Sequence, residues 1–261
     1  MTMAVGFVCS DGVVIGADRQ ITGAGYTFPE CKLDSAKWKN GYGIFAYSGE
    51  HDAYRNFLDH IYREFSPLIE ISREDVAIAL KRCITALQLT KKEEFLVLFG
   101  FMIEGGYQHL LLATKHRVMF VPECEVIGYA DSPLARYLLG RFRDVPHMVT
   151  VQQARIYAVD FISQAKKYDG QYVGDGIDVY SVDRSGDRGE ECVRILDAGQ
   201  TPDWEENIRL AHYWTDVFFS EMTNNKGQMI NLELFKERMQ GFRTWIGGSP
   251  IPWSKPSNPE K

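Results

Sequence analysis

Residues 2–23 read TMAVGFVCSDGVVIGADRQITG, and the rest of the chain is organised around that stretch. Residues 4–9 and 12–17 are short apolar runs separated by Ser10-Asp11-Gly12, the composition of a hairpin turn between two strands. The second run, Val13-Val14-Ile15-Gly16-Ala17, closes on Asp18, a carboxylate at the end of an otherwise apolar strand. A looser segment, 19–31, carries Gly23, Gly25 and Pro29. Asn40-Gly41 predicts a second hairpin, whose outgoing strand from Tyr42 to Tyr47 stops at Ser48-Gly49.

Beyond residue 50 the apolar period changes from that of a strand to that of a helix. Helices are predicted over 51–65 (Tyr54, Phe57, Leu58, Ile61, Tyr62, Phe65) and over 73–89 (Val76, Leu80, Cys83, Ile84, Leu87). Strand-like runs follow at 95–103, 108–114, 117–121 and 125–129. A helix is expected from Ser132-Pro133, with Ser132 as cap, and another over about 151–167. Strands at 176–183 and 191–196 end the compact part. Hairpins separated by helix pairs predict an α+β layered domain rather than alternating βαβ units. The expected divisions are a domain over 1–200, a helical extension over 201–247 (helices near 203–222 and 231–245) and a Pro/Ser-rich tail over 248–261.

Composition narrows the function. The chain has 261 residues, 45% of them hydrophobic, which is ample for one large core, and a formal charge of −6 that argues against a nucleic-acid surface. Its five cysteines are scattered and never spaced C-x-x-C, so neither a disulfide framework nor a zinc site is expected. Neither a signal peptide nor an apolar run long enough to span a bilayer is visible, which predicts a cytoplasmic protein without membrane contact. No G-x-S-x-G elbow, P-loop, H-E-x-x-H or strand-linked G-x-G-x-x-G is present, and the six histidines form no close helical pair. Neither a metal site nor an organic cofactor is expected.

Thr2 offers a different chemistry. Removal of Met1 before a small residue would expose a threonine whose own α-amine, with an unperturbed pKa of about 8, can accept the proton of its hydroxyl. A neighbouring lysine would lower that pKa by like-charge repulsion, and a carboxylate would hold the lysine in place. Asp18 ends the strand beside the one that Thr2 begins. On its own, Thr2 also reads as a small second residue that merely permits Met removal, and Asp18 as a turn cap.

The stretch resembles the start of a proteasome β-type subunit, an N-terminal nucleophile hydrolase. In that family the mature chain begins with Thr, passes V-G and D-G-V-V, and reaches an acidic residue sixteen positions later, the separation of Thr2 and Asp18 here. The resemblance runs over residues 2–197 in element order and is specific in the first fifty. It implies a four-layer αββα sandwich, with Thr2 as nucleophile and Asp18 paired to an active-site lysine. Lys32-Leu33 and Lys37-Trp38 both fit the family's lysine-then-apolar step; Lys32 is favoured because Leu33 suits a buried strand position better than Trp38. Ser48-Gly49 matches the small-Gly step, and the Gly49 N–H would serve the oxyanion.

Two accessory segments depart from the family pattern. Gly128-Tyr129-Ala130-Asp131-Ser132 stands where a G-S-G-S-like segment is expected, so that serine is either missing or displaced to Ser132. Asp169-Gly170-Gln171-Tyr172-Val173-Gly174 stands for D-x-x-S-G, with Asp169 retained and valine in place of serine; Asp169-Gly170 also reads as a turn. The implied function is a threonine-type peptidase acting on peptide or unfolded protein through an acyl-enzyme, packed as a homo-oligomeric ring. Whether an ATPase partner serves the ring is left open by the sequence. The alternatives are a catalytically silent structural subunit of such a ring and a small-amide hydrolase of the same fold.

Overall fold

The computed structural model describes residues 3–23, 26–67, 72–90, 94–103, 105, 107–128, 135, 139–140, 149–169, 173–174, 176–183, 193–196, 205, 208–209 and 212. The chain divides into two compact units, Met1–Pro202 and Asp203–Lys261. Every strand and helix named below belongs to the first.

Among the described residues, the twelve strands and three helices that can be bounded make an α+β fold. Strands β1 (Met3–Val8) and β2 (Gly12–Asp18) form the hairpin read from the opening residues, with Ala4 opposite Ala17 and Val8 opposite Val13. They lie inside a five-stranded sheet ordered β10-β1-β2-β11-β12, completed by β10 (Cys124–Gly128), β11 (Ile177–Asp183) and β12 (Val193–Leu196). Every residue of β1 and β2 is buried, the pattern of strands covered on both faces. One face is covered by α3 (Val151–Asp169), which packs on β1, β2 and β11.

The other face meets a second five-stranded sheet, β5-β6-β7-β8-β9, formed by β5 (Leu33–Trp38), β6 (Gly41–Gly49), β7 (Phe95–Ile103), β8 (Gln108–Thr114) and β9 (Val118–Val121). Ala4, Val13 and Ile15 of the first sheet share one buried cluster with Leu33, Ile44, Leu98 and Leu110 of the second. The far face of the second sheet carries α1 (His51–Phe65) and α2 (Arg73–Ala86) over an aromatic layer of Trp38, Phe45, Phe57, Phe65, Phe99 and Phe101. Ser72 and Asp75 close a reciprocal capping box at the start of α2, which satisfies two N–H groups that lack helical partners.

Three differences from the sequence expectations have physical causes. The looser segment at 19–31 contains a short two-stranded sheet, β3 (Gln20–Gly23) with β4 (Tyr26–Pro29). Four-residue strands are too short to show a period, and Pro29 at the end of β4 leaves no ladder donor. Helix α2 stops at Ala86 rather than 89, because Gln88 adopts a left-handed φ of 51° that a continuing helix does not allow. Helix α3 runs through Asp169, so that residue ends a helix, and its side chain lies outside the described residues. Ser132 and the helix expected from it, the tail and almost all of the two helices expected after 203 also lie outside them. Among the described residues no helix is long and apolar enough to cross a membrane.

Candidate active site

The first sheet delivers Asp18 and the second delivers Lys32 to the same place. Asp18 is the last residue of β2, and Lys32 directly precedes β5; both side chains are fully buried. Lys32 Nζ donates to Asp18 Oδ1 at 2.9 Å, so one ion pair ties the two sheets together. Burial pushes the Lys32 ammonium below its ordinary value, and the Asp18 charge pulls against that shift.

Asp18 is saturated with donors. Oδ1 also accepts the Met3 backbone N–H at 2.7 Å, while Oδ2 accepts the N–H groups of Gln20 at 2.9 Å and Gly174 at 3.2 Å. A buried carboxylate needs such partners to remain charged without a large desolvation cost. The Met3 N–H belongs to the peptide bond that joins Met3 to Thr2, so the carboxylate is anchored at the first peptide following the candidate nucleophile. Thr2 itself lies outside the described residues.

Lys37 is elsewhere. It points outward from β5, with Nζ 5.2 Å from the ring centre of Tyr42, its partner across the ladder. The criterion that favoured Lys32 in the sequence does not discriminate, because Leu33 and Trp38 are both buried. What separates the two lysines is the contact with Asp18.

Gly49 ends β6 at the edge where β5 begins, since Leu33 pairs with Ala46. Its φ of +139° favours glycine, and a Cβ there would fall 2.4 Å from the Glu94 carbonyl oxygen. Around this edge runs a polar chain that the sequence reading missed. The Tyr47 hydroxyl lies 3.2 Å from His51 Nδ1, and His51 Nε2 lies 3.8 Å from Glu30 Oε2. Gly174 was missed as a donor as well; the two glycines of Val173-Gly174-Asp175-Gly176 were the available signal. Val173, where the family pattern has serine, is buried. Among the described residues no group of three or more His, Cys, Asp or Glu side chains is placed to hold a metal ion.

No family model and no curated protein matches this sequence. Solved structures do match. Anbu (ancestral beta-subunit) from Yersinia bercovieri is 14% identical, with a TM-score of 0.66 over 87% of this chain and 100% of that one. Anbu from Hyphomicrobium sp. strain MC1 is 13% identical, with a TM-score of 0.66 over 87% and 100%. The helical assembly of the Anbu complex from Pseudomonas aeruginosa is 14% identical, with a TM-score of 0.61 over 88% and 99%. What the chain shares with these Anbu structures is the fold.

Proposed function

We propose that the chain is an N-terminal threonine amide-bond hydrolase of proteasome type, built as a four-layer αββα sandwich. Removal of Met1 frees the Thr2 amine. Thr2 Oγ then attacks the scissile carbonyl while that amine takes the hydroxyl proton, and the Gly49 N–H donates to the developing oxyanion. Collapse breaks the C–N bond, and the proton passes from the ammonium to the departing amine. Water, deprotonated by the same amine, attacks the Thr2 ester, releasing the acid and restoring the hydroxyl. Lys32 lowers the amine's pKa by charge repulsion, and Asp18 fixes Lys32. Ser132 and Asp169 are accessory candidates within this reading.

The observation that carries the proposal is the fully buried Asp18–Lys32 pair bonded to the Met3 N–H. A buried ion pair is weak evidence for stability, since apolar replacements are often as stable. A buried pair fastened to the first peptide bond after a threonine suits a chemical role better. The Anbu helical assembly supports self-association, and we extend it to a cytoplasmic homo-oligomer whose substrate is peptide or unfolded protein. The test is turnover of a fluorogenic peptide panel by the wild type and by Thr2→Ala, with size-exclusion elution as the control for fold. The variant is expected to elute like wild type without turnover; wild-type activity in Thr2→Ala would sink the assignment. Val173 favours a second reading, a silent structural subunit, for which the wild type itself shows no turnover.

A further inference from the structure

The residue after Asp18, Arg19, forms a second ion pair, with Asp178 on the neighbouring strand, that the proposed chemistry does not use. Arg19 Nε lies 2.9 and 2.8 Å from the two carboxylate oxygens of Asp178, and one terminal nitrogen lies 2.5 Å from Oδ1. Asp178, on β11, is nearly fully buried, whereas the Arg19 side chain is one-third exposed. The backbone of Arg19 is fastened on both sides. Its N–H donates to the Gly176 carbonyl at 3.1 Å, and its carbonyl accepts the Glu30 N–H at 2.8 Å. The arginine stem lies flat on Gly176, where a Cβ would fall 2.8 Å from Arg19 Cδ, and Gly176 has a φ of +84°.

These contacts touch three of the four segments that donate to Asp18, Met3 on β1 being the fourth. Gln20, the neighbour of Arg19, gives one N–H to Oδ2, and Gly174, two residues before Gly176, gives the other. Glu30 lies two residues before Lys32. Cys31, between them, has its Sγ 3.7 Å from the hydroxyl of Tyr180, two positions along β11 from Asp178.

We propose that the Arg19–Asp178 pair is a positioning clamp for the candidate site. It pins the backbone at Gly176 and Glu30 so that Gln20, Gly174 and Lys32 all reach one carboxylate, that of Asp18. A planar guanidinium with two parallel bonds to a carboxylate fixes direction as well as distance, which an ammonium cannot do as fully. The expected consequence for catalysis rests on the threonine-hydrolase reading; the geometric consequence does not.

The test uses the full chain carrying Arg19→Gln, Arg19→Lys or Asp178→Asn, with amide hydrogen exchange and steady-state kinetics. Losing a hydrogen bond to a charged group changes an equilibrium by about tenfold or more. In Arg19→Gln and Asp178→Asn, peptides containing Gln20 and Gly174 should therefore exchange at least about tenfold faster, while peptides from residues 95–114 keep their protection. Arg19→Lys should fall between these variants and wild type. The kinetic arm should show kcat reduced and KM held.

Unchanged exchange at Gln20 and Gly174 overturns the clamp. So does a loosening that spreads equally through 95–114, which would make the pair a general stabiliser. If Arg19→Gln does not fold, Arg19→Lys and Asp178→Asn are judged by the same two criteria. A wild type without turnover contradicts the hydrolase reading alone, and the exchange data then decide the clamp.

Discussion

At the scale of single residues, the proposed chemistry turns on which lysine meets Asp18. Lys32 is buried against Asp18, and Lys37 lies outside over Tyr42. Lys32→Ala should reduce kcat/KM by about 10²-fold or more, the usual worth of a tuned acid–base group, while Lys37→Ala stays near wild type. The sign with pH follows from the charge. Without the Lys32 cation the Thr2 amine holds its proton more tightly, so the rise of kcat/KM with pH moves to higher pH in Lys32→Ala. A profile that does not move, or a larger loss in Lys37→Ala, contradicts the assignment. Stability should respond too, because truncating one partner of a buried pair leaves a buried charge, at a cost of about 3–5 kcal/mol. Urea denaturation monitored by circular dichroism measures that loss and shows whether the variant is folded in the activity assay.

At the scale of elements, the sheet edge at Gly49 makes the same kind of demand on backbone. Gly49→Ala forces a side chain into a positive-φ residue and against the Glu94 carbonyl. It should cost about 1–3 kcal/mol and displace the N–H proposed for the oxyanion. A variant with wild-type stability and turnover would remove Gly49 from the site. A second element-scale expectation concerns β8, where His109 packs 5.1 Å from Phe101 and 5.8 Å from Phe120. Burial, and then the Arg73 charge, push its pKa below 6.5. The neutral ring is therefore the form the fold prefers. Its contribution is complete above about 6.5 and is lost as pH falls through the lower folded value. His109→Phe should flatten that part of the stability–pH curve. An unchanged slope between pH 7 and 5 would show that His109 contributes nothing to it.

What was legible in the sequence followed period length. The β1–β2 hairpin and helices α1 and α2 announce themselves because each repeats an apolar pattern several times. The β3–β4 hairpin, four residues a side, repeats nothing and read as loop. Asp18 stood out as a charge closing an apolar run. Its donors Gln20 and Gly174 did not, because a backbone N–H carries no sequence signature. The separation of 156 positions between Gly174 and Asp18 is bridged by the register of β11 on β2 and by the Arg19 contacts with Gly176 and Asp178.

At the scale of the whole molecule, the expected behaviour is self-association. Tyr62 on α1 and Ile78 on α2 leave about half of their surface exposed, at 49% and 52%, on the helical side of the second sheet. The segment after residue 203 adds Trp204, Tyr213, Trp214, Phe218 and Phe219 in sequence. Contiguous exposed apolar surface usually marks contacts, and we propose that Tyr62 and Ile78 belong to one. Light scattering should therefore report a homo-oligomer, and truncation after Gly199 should lower its mass if the extension takes part. A monomer at micromolar concentration contradicts the assembly. All of the proposed chemistry nevertheless depends on one chemical fact, a free amine on Thr2. Intact-mass spectrometry of the purified protein reads it directly: the account predicts a chain that has lost Met1 and begins at Thr2, and a mass that retains Met1 would contradict it, because an acylated nitrogen cannot accept the hydroxyl proton.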